Sequence, residues 1–209
     1  MAGGSKRYAD LARRLSDLRR NLLPFLPPAT AKSRAAVISR TSYTPQELDQ
    51  TRAYVLLAHA EIEAFCEDLV TVKVQGARRA FDTLGRVTPA LRRLIAYYVC
   101  KEKKSWSEVV RPSGLTVNSA CQSHLSTIEG NHGVKRQNIE KLFYPVGIVE
   151  RQLGATWLAE MDSFGSNRGG WAHRSIKVLT VPDPASEAAA VENLLVGLLD
   201  LDRKMGKIR

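Results

Sequence analysis

The sequence is poor in the residues that most often announce a chemistry. Of its 209 residues three are Cys, four are His and 7% are aromatic. Cys66, Cys100 and Cys121 are odd in number, lie far apart and form no CxxC pair. That argues against a disulfide framework and against a structural zinc site. It fits a reduced, cytoplasmic protein. No two of His59, His124, His132 and His173 stand at a metal-ligand spacing on one helix, so no metal and no cofactor is expected. There is no run of about 18 apolar residues, and hence no expected membrane span. The N-terminus is basic but lacks the apolar core of a signal peptide. Internal repeats, alternating strand patterns of any length and nucleotide-binding glycine loops are also missing.

What is present is positive charge and helical periodicity. There are 31 Lys+Arg against 21 Asp+Glu, a net charge of +10, and 20 of the cations are Arg. Such a surface attracts polyanions, chiefly nucleic acid, or an acidic partner. A solvated basic surface that serves only solubility explains the charge equally well. Hydrophobic content of 44% and charged content of 25% are ordinary for a globule with a buried core.

The apolar spacing predicts an all-α bundle. Residues 1–5 carry no ordering signal and are expected to be disordered. Tyr8, Leu11, Leu15, Leu18 and Leu22 form one helical stripe, with Arg13, Arg14, Arg19 and Arg20 on a basic face. Pro24, Pro27 and Pro28 stop it, which gives a division into 1–43 (basic amphipathic helix and proline-containing linker) and 44–209 (helical domain). Thr44-Pro45-Gln46-Glu47 is a capping box that starts a long helix reaching Phe81. Thr88-Pro89 starts another, ending in Lys101-Glu102-Lys103-Lys104. A loop is expected over 105–116, and short helices over 117–129 and 135–144. A helix over 155–164 carries Trp157, Leu158, Met161 and Phe164. An extended segment over 176–181 precedes a last helix from Pro184, striped with Val191, Leu194, Leu198, Leu201 and Met205.

The chemistry-bearing stretch is Ser163-Phe164-Gly165-Ser166-Asn167-Arg168-Gly169-Gly170-Trp171-Ala172-His173-Arg174-Ser175. An imidazole moves protons near neutral pH. A guanidinium holds a phosphate through two parallel hydrogen bonds. Five residues of continuous helix would set Arg168 and His173 about 140° apart, whereas a break at Gly169-Gly170 would let them converge. On local sequence alone, a solvent-facing helix-terminal turn accounts for the pair equally well. A second pair, Arg52 and His59, stands seven residues apart on one face of the long helix with Cys66. There the simpler reading is a partly buried helix position.

Further matching features are Gly133-Val134-Lys135-Arg136-Gln137-Asn138-Ile139-Glu140-Lys141-Leu142-Phe143, then Trp157-Leu158, then Asp162 through His173. Upstream lies His59-Ala60-Glu61-Ile62-Glu63-Ala64-Phe65. Together these resemble the HEPN superfamily, specifically its RiboL-PSP branch, over most of residues 45–200, with 133–175 the distinctive part. The resemblance implies an all-α HEPN-like bundle. It also implies a metal-independent endoribonuclease whose signature is an Arg, four to six residues, then a His. Arg168 and His173 match that signature, and the family's dimers join two such motifs in one composite cleft. RNA is then the expected partner, together with a homodimer or higher homo-oligomer. A neighbouring antitoxin or defence-system protein is a further expected partner, and no membrane is.

Two departures matter. Gly169 stands where many relatives have a polar residue after the Arg, and Ser175 stands where some have a Tyr that an antitoxin modifies. Supporting roles fall to Glu63, Glu61 and Asn167, and RNA contact to Trp171 and Arg174. Each has a plain alternative: solvated glutamates, a capping Asn, a core Trp. Competing functions are a non-catalytic HEPN-like module binding RNA or a partner, a helical DNA-binding regulator, and a structural adaptor.

Overall fold

The computed structural model describes residues 3–26, 43–101, 111–173 and 182–208, with the backbone alone for 99–101 and 167–173. Among these residues there are eight helices and no strand, as the periodicity predicts. They are α1 (Lys6–Leu22), α2 (Pro45–Leu84), α3 (Pro89–Lys101), α4 (Gly114–Glu129), α5 (Arg136–Phe143), α6 (Glu150–Leu153), α7 (Ala155–His173) and α8 (Pro184–Lys207).

The spine is α2, whose 40 residues span about 60 Å. Its start is doubly capped. Thr44 Oγ1 accepts from the Glu47 amide at 3.2 Å, and the Glu47 carboxylate accepts from the Thr44 amide at 2.8 Å. It stops at Gly85, whose φ of 62° is left-handed and disfavours a side chain. Tyr54, Val55, Ala58, Ile62, Leu69, Val70 and Val74 are buried along its length.

The register of the helices around α2 fixes where the chain's chemistry lies. Arg7 pairs with Asp68 and Arg14 with Glu61, so α1 runs antiparallel to α2, burying Leu11, Leu15 and Leu18. Lys73 Nζ donates to the Ile208 carbonyl at 2.6 Å. Near the other end of α2, Arg19, Glu192 and Glu187 lie close enough to Tyr54 to act on its hydroxyl, which burial pushes up. Hence α8 runs parallel to α2. Trp157 Nε1 donates to the Leu194 carbonyl at 3.3 Å, whereas Ser163 and Phe164 share a groove with Glu187 and Ala190. So α7 runs antiparallel to α8, and therefore to α2.

Several boundaries differ from the sequence expectation. Ser5 is ordered: its side chain caps α1, and its N–H and Oγ both donate to Asp202 at 2.7 Å. A buried acceptor 197 residues away is not visible in local sequence. The helix that begins at Gly114 starts inside the expected loop, because Ser113 Oγ accepts from the Thr116 amide. The α2 helix continues three residues past Phe81, and α6 is an additional turn. The largest difference is α7, expected to end at Phe164 but helical through His173. Two interior glycines cost only about 1 kcal/mol each relative to Ala, which does not by itself end a helix. The expected extended segment 176–181 lies outside the described residues.

One histidine belongs to this scaffold. His124 is buried, its Nε2 facing the Leu142 carbonyl at 3.1 Å and its Nδ1 the Tyr98 hydroxyl at 2.9 Å. Burial pulls its pKa down to about 4, against a smaller upward effect of the Leu142 carbonyl. A neutral ring with Nε2–H donating and Nδ1 accepting satisfies both bonds.

The α7–α8 contact depends on a missing side chain. A Cβ at Gly197 would fall inside the Trp157 indole. Gly197→Ala should therefore lower stability by roughly 1–3 kcal/mol through overpacking, measured by urea unfolding. An unchanged midpoint would contradict this packing.

Candidate functional site

The site is built on the antiparallel pair α2 and α7. Trp157, Leu158, Met161, Phe164 and Gly165 are the buried positions among those of α7 whose side chains are described. The backbone of Arg168 lies about one turn beyond Phe164. Phe164 stacks on His59 of α2, ring centroids 5.9 Å apart and planes 24° apart. Because the helices are antiparallel, the backbone from Arg168 to His173 runs toward the N-terminal end of α2, to the level of Val55 and Arg52.

The backbone of α7 runs unbroken through Gly169-Gly170. Arg168 and His173 stand on one continuous helix, about 140° apart around its axis. The side chains of Asn167, Arg168, Trp171 and His173 lie outside the described residues, as does the whole of Arg174.

The two candidate glutamates separate cleanly. Glu61 turns to α1, where its carboxylate accepts from Arg14 Nε at 2.9 Å. Glu63 turns to the other side, with Oε2 3.5 Å from Nδ1 of the buried His59. The sequence places them about 100° to either side of Ile62 and leaves their faces undecided. The docking of α1 decides it. Arg52, His59 and Cys66 do share one edge of α2, with His59 and Cys66 buried and Arg52 largely so. Burial pushes the Cys66 thiol well up, so Cys66 is an apolar filler and not a thiolate.

Charge is unevenly distributed along the sequence. Each of the five arginines of α1 faces a carboxylate: Arg7 with Asp68, Arg13 with Asp10, Arg14 with Glu61, Arg19 with Glu192, Arg20 with Asp17. The basic face expected of α1 is thus largely neutralised within the protein. By contrast, the sequence segments 27–42 and 167–181 carry Lys32, Arg34, Arg40, Arg168, Arg174 and Lys177 and contain no Asp or Glu. The first immediately precedes the start of α2 in the sequence. Phe25 and Tyr43, flanking the first, have ring centroids 5.8 Å apart. The second begins within the last turns of α7 and leads to Pro182 and the Asp183 cap of α8.

The family model for RiboL-PSP-HEPN matches residues 10–191. The chain belongs to the RiboL-PSP-HEPN family. Membership suggests a ribonuclease-type or RNA-binding domain, and the family span takes in α1 from Asp10 as well as the α2–α7 pair. No curated protein matches the chain, and no solved structure does. Among the described residues no three His, Cys, Asp or Glu side chains gather as a metal-binding group, and no helix is long and apolar enough to cross a membrane.

A feature beside Phe164 carries no local sequence signal. Between α7 and α8 lies a groove of about 340 Å³, lined by Glu160, Ser163, Phe164, Glu187 and Asn193 among others. Burial, and then the neighbouring Asp183, push the Glu187 carboxyl up to about 7. A carboxyl raised on folding holds its proton more tightly in the native state. Its contribution is present below the unfolded pKa of about 4.3 and is lost as pH rises through about 7. Glu187→Gln should therefore raise the melting temperature at pH 8 and leave it nearly unchanged at pH 5. Equal shifts at both pH values would contradict the raised carboxyl.

Proposed function

We propose that this chain is a metal-independent endoribonuclease that cleaves RNA by attack of the 2′-hydroxyl on the adjacent phosphate, at a site composed from two copies. Four facts support the reading: membership of the RiboL-PSP-HEPN family, an Arg-x4-His spacing, its place on α7 beyond the Phe164–His59 stack, and the two acid-free basic segments of the sequence. The first carries it.

In the proposed step the 2′-oxygen forms a bond to phosphorus while the bond from phosphorus to the 5′-oxygen breaks. One His173 takes the proton from the 2′-hydroxyl. A second His173, from the other copy, gives a proton to the leaving 5′-oxygen. Arg168 holds the phosphate and offsets charge on its oxygens in the transition state. The products are a 2′,3′-cyclic phosphate and a 5′-hydroxyl, so no water enters this step. One imidazole does not readily serve as base and acid in one step, which is the chemical reason for two copies related by a two-fold axis. The wide angle between Arg168 and His173 around one helix favours the same arrangement.

Asn167 caps or contacts the phosphate, Trp171 and Arg174 hold flanking RNA, and Glu63 orients His59 beneath the site. Glu61, engaged with Arg14, is less suited to that role. The biological setting that fits is a toxin or anti-phage defence effector in the cytoplasm, held in check by a neighbouring protein.

His173→Ala should lower cleavage of total RNA by about 10²–10⁴-fold with an unchanged melting temperature. Full cleavage by that variant would overturn the assignment. Binding without cleavage by the wild-type protein would instead identify a non-catalytic RNA-binding module.

A further inference from the structure

The stretch from Gly133 to Phe143 carries no role in the reading above. With the end of α4 and with α3 it encloses a pocket of about 350 Å³, lined by Tyr97, Tyr98, Thr127, Asn131, Asn138 and Lys141 among others. The volume lies in the range of small-ligand sites. The walls combine aromatic rings, amides, a hydroxyl and a cation.

The aromatic wall is anchored from inside the bundle. The Tyr98 hydroxyl donates to Nδ1 of the buried His124 at 2.9 Å and lies 3.2 Å from Thr127 Oγ1. Tyr97 packs edge-on against that ring, centroids 5.1 Å and planes 72° apart, and is only partly covered. The polar wall is held as firmly. Asn131 Nδ2 donates to Glu67 Oε1 on α2 at 2.8 Å and to the Gly133 carbonyl at 3.0 Å. Asn131 Oδ1 accepts from Asn138 Nδ2 at 3.0 Å. Asn138, half-buried, keeps one N–H and its amide oxygen without a partner among the described residues. Lys141, exposed and one turn further along α5, meets no carboxylate among them.

An aromatic face, an amide that both donates and accepts, and a nearby cation are the groups that stack a base, bond its edge and hold its phosphate. We propose that this pocket holds an unpaired base of the RNA strand, stacked on Tyr97 and bonded by Asn138, with Lys141 on the adjoining phosphate. The inference rests on the RNA reading above and gives the strand a second point of contact. The helix that carries Asn138 and Lys141 also touches α7. The Arg136 amide donates to Asp162 Oδ1 at 3.3 Å, and a Cβ at Gly165 would fall 2.9 Å from the Lys135 side chain. The start of α5 thus abuts α7 just before the Arg-x4-His stretch.

The test uses two fluorescent RNAs with every 2′-position O-methylated, one carrying all its bases and one abasic throughout. Neither undergoes 2′-hydroxyl attack. Anisotropy titrations are run across a range of salt, with melting temperatures measured in parallel. On the full strand Tyr97→Ala should weaken binding about tenfold, the loss of one base stack, and Tyr97→Phe should not. On the abasic strand wild type and Tyr97→Ala should bind alike. Lys141→Gln should weaken binding of both strands and reduce the salt slope by about 0.7, the loss of one single-strand phosphate contact. If Tyr97→Ala melts early, Tyr97→Leu keeps apolar bulk without a stacking ring and should show the same strand-dependent loss. Wild-type affinity of both variants for the full strand, or an equal loss on the two strands, would overturn the pocket and leave the RNA reading standing. Adenosine monophosphate at the concentration of the RNA should not displace it. Displacement would identify a free-nucleotide site and overturn the assignment to a strand. A wild-type protein that binds neither strand would overturn the RNA reading, and this inference with it.

Discussion

The stacking of Phe164 on His59 is the contact from which the rest of the site follows. It fixes the level at which α7 crosses α2, and the antiparallel direction then fixes what lies beyond it. One turn along α7 comes Arg168, and a further turn and a half brings His173. Two turns back along α2 comes Arg52. Neither helix would hold this register alone. It is maintained from α8, through the Trp157 indole seated on Gly197 and bonded to the Leu194 carbonyl. At its C-terminal end α8 is tied to Ser5 through Asp202 and to α2 through Lys73.

The five arginines of α1 each meet a carboxylate within the fold. Surface pairs of this sort add little stability, typically under about 1 kcal/mol each, but they remove positive potential from the sides of the bundle. The sequence segments 27–42 and 167–181 carry six cations and no Asp or Glu.

Much of the fold was legible because its signals are local. The Thr44–Glu47 box, the Pro45, Pro89 and Pro184 starts and the apolar stripes each act within a few residues, and they set the helices in place. Signals that depend on distant partners were not legible. Ser5 is ordered by Asp202, and the division of Glu61 from Glu63 follows from where α1 docks. The length of α7 illustrates a different limit. A Gly-Gly pair signals a break in isolation, yet its cost is small enough for a helix already seated on α2 and α8 to continue through it. At the site, Arg168, His173 and the Arg52–His59 edge were visible as sequence patterns. That the two patterns meet at one level was not, because register between helices 100 residues apart leaves no mark on spacing.

The central claim is that RNA cleaves itself here, by its own 2′-hydroxyl, on a protein that supplies proton transfer and phosphate binding. The most direct test replaces the ribose at a mapped cleavage position by 2′-deoxyribose and compares cleavage in EDTA. The account predicts that the all-ribose strand is cut to a 2′,3′-cyclic phosphate end and that the substituted position is not cut. Cleavage of both strands, or cleavage that returns only with added Mg²⁺, would contradict it.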